Sequence, residues 1–288
     1  MATATLRLNL EVVMPISSNT PITLTIAGSD SGGGAGIQAD IKAISATGGY
    51  ACSVITALTA QNTQGVSGIQ AIDPAFVEQQ LDAVFTDLDI KAVKIGMLSD
   101  ANIIRMVASK LRQYQPRFLV VDPVMVATSG DLLLEQDAIA TLKDELLPLA
   151  DVITPNLPEA AALIGSSLPK NEQQMADMIS ALRAIGSRSI LLKGGHLEND
   201  ASSTDLLILE NDVVRMSTPR IATRNTHGTG CTLSAATASF LAQAYPLKEA
   251  VRHAKTYITK AIENADALQI GAGHGPVNHF FAGHFKPE

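Results

Sequence analysis

Apolar positions along the chain recur with two alternating periods, and that alternation sets the architecture. Ile22 to Ala27 is a short β-branched apolar run that ends in Gly28-Ser29-Asp30-Ser31-Gly32-Gly33-Gly34-Ala35-Gly36, after which Ile37, Ile41 and Ile44 fall at helical spacing. This predicts strand, loop, helix. Tyr50 to Leu58 reads as a buried strand and Val66 to Ile72 as a second, more amphipathic one, before Asp73-Pro74 opens a helix. Ala92 to Ile95 is a strand, Ile103, Ile104, Val107, Leu111 and Tyr114 share one helical face, and Phe118 to Val121 is a strand again. The pattern continues with a helix through Leu142 and Leu146, a strand Val152 to Thr154, helices over Pro158 to Ile164 and Met175 to Ile185, and a strand Ile190 to Lys193. Leu206 to Leu209 and Val213 to Met216, parted by Glu210-Asn211-Asp212, predict an antiparallel hairpin. A helix from Thr232 to Ala244 and another with Leu247, Val251, Ala254, Ile258 and Ala261 on one face close the chain. Apolar strands between amphipathic helices imply an α/β fold, a mostly parallel sheet covered on both faces.

Composition narrows the partners. The chain has 288 residues, 46% hydrophobic and 17% charged, enough for one large core, and one domain over residues 21–288 is expected. A net charge of -7, with no Trp and no basic run, speaks against nucleic acid or an anionic membrane as the main partner and for a small molecule. The two cysteines, Cys52 and Cys231, lie far apart, which supports neither a disulfide framework nor a zinc site and points to a reducing, cytoplasmic setting. Residues 1–20 carry an apolar patch broken by Glu11 and Pro15, and read as a disordered extension. The Ala/Thr start also allows a transit peptide, poorly served by one Arg and one Glu, and Met14 is an alternative start. No apolar run reaches the roughly 20 residues of a membrane helix.

Candidate chemistry centres on Arg224-Asn225-Thr226-His227-Gly228-Thr229-Gly230-Cys231, a glycine-rich loop that turns into a helix. Gly228 to Cys231 then offer the unpaired N–H groups of the first turn, and the helix dipole adds about half a positive charge there. Such a turn holds a phosphoryl group, and Cys231 within it is expected to have a lowered pKa, so that its sulfur serves as a base or an anion contact. The plain alternative is a tight loop before a core helix, with Cys231 a small buried hydrophobe.

The early loop formally matches a dinucleotide pattern in Gly34-Ala35-Gly36-Ile37-Gln38-Ala39. A ribose-binding acid about 20 residues on is missing, since no Asp or Glu lies between Asp40 and Asp73. Neither loop has the Gly-Lys-Ser/Thr of a Walker loop. Candidate ligand contacts collect instead at the ends of strands, where open α/β sheets bind ligands: Gln61, Met97, Asp122, Asn156 with Glu159, and Lys193. Asp122 and Glu159 are oxygen ligands of the kind Mg²⁺ takes, and Lys193 suits a phosphate. Helix caps at Asp122 and Glu159, a solvated strand end at Lys193 and a turn residue at Gln61 are the plain alternatives.

These residues compose a signature. Ala27-Gly28-Ser29-Asp30 with Gly33 to Asp40, Ala60-Gln61-Asn62-Thr63, Lys94-Ile95-Gly96-Met97-Leu98, Thr154-Pro155-Asn156-Leu157-Pro158-Glu159-Ala160, Lys193-Gly194-Gly195-His196 and Asn225 to Cys231 stand in order over Ile22 to Phe280. The chain resembles the hydroxymethylpyrimidine/phosphomethylpyrimidine kinases of thiamine biosynthesis, in the ribokinase superfamily. The resemblance implies a ribokinase-like three-layer α/β/α fold with a mostly parallel sheet and a small antiparallel hairpin. It implies an ATP- and Mg²⁺-dependent kinase acting on 4-amino-5-hydroxymethyl-2-methylpyrimidine and then on its monophosphate, and a homodimer. By position it assigns Gln61, Gly28, Asp40, Met97 and Val124 to the pyrimidine. Gly228, Thr229, Gly230 and Cys231, with Lys193, go to phosphoryl transfer, Asn156, Lys193, Thr226 and Gly228 to the nucleotide, and Asp122 and Glu159 to Mg²⁺. His274 and His279 read as structural or nucleotide-adjacent. Family members often carry Asp-Pro-Ser-Gly-Gly-Ala in the first loop, where this chain has Asp30-Ser31-Gly32-Gly33-Gly34-Ala35, so a floppier loop is expected. A pyridoxal or pyridoxine kinase is the rival enzyme, and a catalytically silent pyrimidine-binding protein the rival from another class.

Overall fold

The computed structural model describes residues 19–125, 136–195, 197 and 201–283. The expected N-terminal extension lies, as far as residue 18, outside them, and so does His196. In chain order the elements are β1 (Ile22–Asp30), α1 (Gly36–Ala46), β2 (Tyr50–Asn62), β3 (Gly65–Ala71), α2 (Pro74–Asp87), β4 (Ile90–Ile95), α3 (Ala101–Tyr114), β5 (Leu119–Val121), α4 (Gln136–Thr141), β6 (Val152–Ile153), α5 (Leu157–Ile164), α6 (Glu172–Asp177), α7 (Ile179–Arg183), β7 (Ile190–Lys193), β8 (Ser202–Ile208), β9 (Val213–Pro219), α8 (Thr229–Ala242) and α9 (Leu247–Glu263).

The strands form one nine-stranded sheet in the order β3-β2-β1-β4-β5-β6-β7-β8-β9. From β2 to β7 neighbours run parallel, while β3, β8 and β9 pair antiparallel at the two edges. Alternation along each strand feeds two separate cores. Leu24, Ile26, Val93 and Ile95 face the layer that holds α2, α3 and α5, whereas Ala92, Val120, Val152 and Leu191 face α1, α8 and α9. This is the three-layer α/β/α arrangement with a mostly parallel sheet and a small antiparallel part.

Helix ends follow local chemistry. Asp73 caps α2 by accepting from Ala75 N at 2.8 Å with Pro74 in the first turn, and Asp100 caps α3 by accepting from Asn102 N and Ile103 N. Helix α8 is different. Its residues from Thr232 to Ser239 are all buried and mostly Ala, Ser and Thr, so the helix has no polar face and lies sandwiched between the sheet, α1 and α9. Small side chains permit the close approach, sealed by Thr47 Oγ1 donating to Ser239 Oγ at 2.8 Å.

Several boundaries differ from the expected ones for one reason, pairing partners that periodicity does not see. Strand β1 runs on from Ala27 to Asp30 across a bulge, because β2 overhangs the sheet and pairs Ser29 with Leu58 and Asp30 with Thr59. Strand β2 itself continues past Leu58 to Asn62, held by β3. Strand β8 starts at Ser202 rather than Leu206, since Ser202, Ser203 and Thr204 find ladder partners in Pro219, Thr218 and Ser217. The helix expected over Met175 to Ile185 breaks at Met178 into α6 and α7, whereas α8 starts at Thr229, inside the Gly228 to Cys231 turn expected to open it.

Candidate active site

At the C-terminal ends of β1, β4, β5, β6 and β7 the sheet opens into a cavity of about 740 Å³, within the range of small-molecule sites. Its wall includes Gly28, Gln61, Met97, Asp122, Val124, Asn156, Glu159, Lys193, Thr226, Gly228, Thr229, Gly230 and Cys231. Every expected site residue but Asp40 therefore lines one space. Asp40 lies behind the wall, fully buried, with its carboxylate on Lys94 Nζ at 2.8 and 3.0 Å and on the Thr25 hydroxyl at 2.6 Å. Placing it in the pyrimidine pocket is corrected to placing it beneath the pocket. The residue that reaches the cavity is its partner Lys94, near the C-terminal end of β4. Burial alone would lower the Lys94 pKa, but Asp40 outweighs it and holds the ammonium charged.

The two glycine-rich loops meet at this cavity, backbone against backbone. Gly228 stands at φ +79°, and a Cβ there would lie 1.8 Å from the Gly34 carbonyl oxygen. A Cβ on Gly34 would lie 2.4 Å from His227 Cδ2. Only glycine fits either position. His227 Nε2 then donates to Asp30 Oδ2 at 2.9 Å, which joins the loops by side chains as well. Burial pushes the Asp30 pKa up, but the His227 hydrogen bond and the amides of Ala35 and Gly32 prevail and hold the carboxyl below its usual range.

Asp30 also organises its own loop: Oδ1 accepts from Gly32 N at 2.8 Å, and Oδ2 from Gly34 N at 3.0 Å and Ala35 N at 2.8 Å. Ser31 Oγ accepts from Gln61 N and donates to Gln61 O, each at 2.8 Å, so the residue in place of the family's Pro clips the loop to β2. These bonds hold the loop at the position where family members carry Pro, by contacts and not by a fixed φ. Neither Asp30 nor His227 was assigned a role from sequence, and the signal available was an ionisable residue inside each glycine loop.

At the other wall Lys193 Nζ sits 2.8 Å from Asp122 Oδ1, which also accepts from Thr154 Oγ1 at 2.9 Å. The Lys193 side chain is only 13% exposed, so the reading of a solvated strand end does not hold. Desolvation would lower its pKa, yet Asp122 and Glu159 together raise it; desolvation likewise pushes Asp122 up, and Lys193 pulls it below normal. Gly230 covers this pair, since a Cβ there would stand 3.3 Å from Lys193 Nζ and 3.4 Å from Asp122 Oδ2. Asn156 and Glu159 form a capping box on α5: Asn156 Oδ1 accepts from Glu159 N and Glu159 Oε2 from Asn156 N, both at 2.8 Å. For these two residues the cap and the cavity wall are the same structure. Burial raises the Glu159 pKa to about 7, with Lys193 opposing.

Cys231 occupies the first turn of α8, but its thiol is not activated. Burial pushes its pKa up to about 11, with Lys94 opposing and Asp40 and Asp122 adding to the rise. The expectation of a lowered pKa is thus corrected: at neutral pH the group is a thiol. In the same turn the Gly230 and Cys231 amides have no helical acceptor by helix geometry, which leaves them available to an anion. His279, by contrast, is structural. It is buried, 2.9 Å from Thr232 Oγ1, and desolvation drives its pKa down to about 4. His274 is exposed on a C-terminal strap whose backbone ties Thr63 to His227, through His274 N to Thr63 O at 2.8 Å and His227 N to Gly275 O at 3.0 Å.

A glycine-lined helix start, a lysine and carboxylates around one cavity on a ribokinase-like sheet define a phosphotransferase, and the comparisons agree. The family model for phosphomethylpyrimidine kinase matches residues 30–278. A hydroxymethylpyrimidine/phosphomethylpyrimidine kinase from Rhizobium meliloti is 56% identical over 91% of this chain and 97% of its own length. A phosphomethylpyrimidine kinase structure from Clostridium difficile matches with 44% identity and a TM-score of 0.74 over 84% of this chain and 99% of that one. A pyridoxal kinase from Bacillus subtilis, solved as an ADP complex, matches with 33% identity and a TM-score of 0.84 over 91% and 98%. The chain belongs to the phosphomethylpyrimidine kinase family, and it is a kinase.

Proposed function

We propose that the protein transfers the γ-phosphoryl group of ATP, with Mg²⁺, to the hydroxymethyl group of 4-amino-5-hydroxymethyl-2-methylpyrimidine, and then phosphorylates the monophosphate to the diphosphate in the same cavity. The observation that carries this reading is the shared space: the Gln61 amide, the Gly228 to Cys231 turn and the Lys193–Asp122 pair line one cavity. An amide offers a donor and an acceptor side by side, which matches a ring nitrogen beside an exocyclic amine. Gly28 and Met97 shape the pocket for a flat ring, because a Cβ on Gly28 would lie 2.4 Å from Met97 Cε, and Val124 completes the wall. Phosphoryl transfer asks mainly for placement and charge neutralisation. The amides of Gly228 to Cys231 take the phosphoryl oxygens, Lys193 neutralises the nucleotide phosphates, and Asn156 and Thr226 line the nucleotide end.

Among the described residues no cluster of three or more His, Cys, Asp or Glu forms a ready metal cage. The residues nonetheless fit Mg²⁺, which keeps waters and takes only one or two carboxylates beside phosphates. Glu159, a buried carboxyl with its pKa raised to about 7, stands where an added cation is favourable, with Asp122 across the cavity wall. When bound, Mg²⁺ neutralises charge on the transferring phosphates.

The first phosphorylation has a hydroxyl acceptor and the second an ionised phosphate, so a thiol at position 231 serves both as a neutral neighbour rather than as a thiolate base. A homodimer belongs to this reading, and sedimentation velocity tests it. A pyridoxal kinase is the second reading, favoured by the likeness to the Bacillus subtilis structure. Comparing kcat/KM for the pyrimidine and for pyridoxal, in wild type and in Gln61→Glu, separates the two. The pyrimidine reading requires the pyrimidine to be the better substrate and its use to fall in the variant; a better rate on pyridoxal would reverse it.

A further inference from the structure

Thr59 stands two residues before Gln61 on β2, and both line the cavity. Thr59 Oγ1 lies 2.7 Å from the Ser29 carbonyl oxygen and 3.1 Å from Oε1 of the Gln61 amide. A hydroxyl has one proton, and a carbonyl oxygen supplies none. The shorter contact commits the Thr59 proton to Ser29, so toward Gln61 the hydroxyl presents only lone pairs. An amide oxygen on that side would face them lone pair to lone pair.

The far end of the amide gives the same answer independently. His227 Nε2 must carry a proton to bond the Asp30 carboxylate at 2.9 Å, and Gln61 Nε2 lies 3.5 Å from that same nitrogen, donor facing donor. A half turn of the amide about its terminal bond exchanges oxygen and nitrogen at no rotamer cost. It cures both mismatches, with the NH₂ donating to Thr59 and the oxygen facing the His227 N–H.

We propose that Thr59 is a specificity-determining positioning residue: its hydroxyl, committed to the Ser29 carbonyl, sets which end of the Gln61 amide faces which side of the ligand cavity. The chain of polarity runs from the Gln61 N–H to Thr59 and from Thr59 to the Ser29 carbonyl. One N–H and one oxygen lone pair of Gln61 remain for a ligand in a fixed order. The class of ligand selected is a heteroaromatic ring whose edge carries an acceptor beside a donor, in one orientation only. The kinetic consequence rests on the proposed pyrimidine substrate, whereas the relay itself does not.

Neutron diffraction from crystals of the perdeuterated, ligand-free protein reads the relay directly. Deuterium on Thr59 Oγ1 pointing at Ser29 O, with the Gln61 ND₂ toward Thr59, is expected; the Gln61 oxygen toward Thr59 would overturn the proposal. In steady-state kinetics Thr59→Val is expected to raise KM for the pyrimidine about five- to tenfold, the worth of one hydrogen bond, with kcat within about twofold. Thr59→Ser should restore KM. An unchanged KM in Thr59→Val, or no rescue by Ser, would also overturn it. Absence of wild-type activity on the pyrimidine would instead remove the substrate reading, and the neutron map would still decide the relay.

Discussion

Asp30 and His227 are 197 residues apart in sequence and 2.9 Å apart in space, and that hydrogen bond is where the beginning and the end of the chain become one site. It is buried on both sides and charge-assisted, so it belongs to the stronger class of side-chain contacts. Around it a side chain at Gly228 would run into the Gly34 backbone, and one at Gly34 into the His227 ring.

Removing one partner should therefore loosen both loops together. His227→Ala is expected to cost about 1.5–3 kcal/mol, the range for a hydrogen bond to a charged group, and to lower kcat/KM about tenfold or more. Urea denaturation and steady-state rates check this. Unchanged values in both would separate the loops functionally.

Gly228→Ala tests the backbone contact. The methyl would meet Gly34 O and occupy a positive φ, so the loops must part. A loss in kcat on the order of 10²-fold is expected in a protein that remains folded by circular dichroism.

Lys193 and Asp122 separate stability from chemistry. Lys193→Met leaves a buried carboxylate unpaired, at a cost of about 3–5 kcal/mol, and should lower kcat by about 10²–10³-fold through lost charge neutralisation. Adding Asp122→Asn should return much of the stability and none of the activity. Thermal melts and kinetics on the single and double variants give the answer.

For Cys231 the pKa of about 11 places thiolate formation well above neutral pH. Alkylation of Cys231 by iodoacetamide, followed by mass spectrometry of the ligand-free protein, should remain slow through pH 9 and climb only above it. Cys231→Ala should slow the first and the second phosphorylation alike, because a neutral thiol takes no proton from either acceptor; a loss confined to the first would restore the thiolate base.

His279 gives the fold one of its pH dependences, opposed over much of the same range by Glu159, whose raised pKa of about 7 favours the folded state as the pH falls. The His279 pKa falls from 6.5 to about 4 on burial, so between those values the unfolded chain binds the proton and the folded one does not. The His279 contribution is then complete above pH 6.5 and is lost as the pH drops toward 4, by about 3 kcal/mol in all. In Tm measured from pH 7 down to 4, wild type should lose stability relative to His279→Gln as the pH falls; parallel profiles would contradict it.

Much of the fold was legible because strand and helix periods alternate cleanly from Ile22 to Lys193, and the caps at Asp73 and Asp100 are local. What periodicity missed depended on partners distant in sequence. The overhang of β2 to Asn62 exists only because β3 folds back on it, and the polar start of β8 becomes a strand only beside β9. Helix α8 was found by composition, and its start at Thr229 follows the left-handed turn at Gly228.

The site shows the same division. Gln61, Lys193 and the late glycine turn were readable as residue types at strand and helix ends. The Asp30–His227 pair was not, because nothing local couples two loops at opposite ends of the sequence. The protonation state of Cys231 also escaped, since a helix start and a glycine turn suggest a low thiol pKa while burial, which sequence does not show, raises it. Asp40 went astray for a related reason: its charge is consumed by Lys94 in the layer below the cavity.

The most direct test of the account follows ³¹P resonances while the protein, ATP and Mg²⁺ act on 4-amino-5-hydroxymethyl-2-methylpyrimidine. A pyrimidine monophosphate should appear first and be consumed into the diphosphate, with two ATP spent per pyrimidine. A monophosphate that accumulates without further conversion, or no pyrimidine product alongside rapid phosphorylation of pyridoxal, would contradict it.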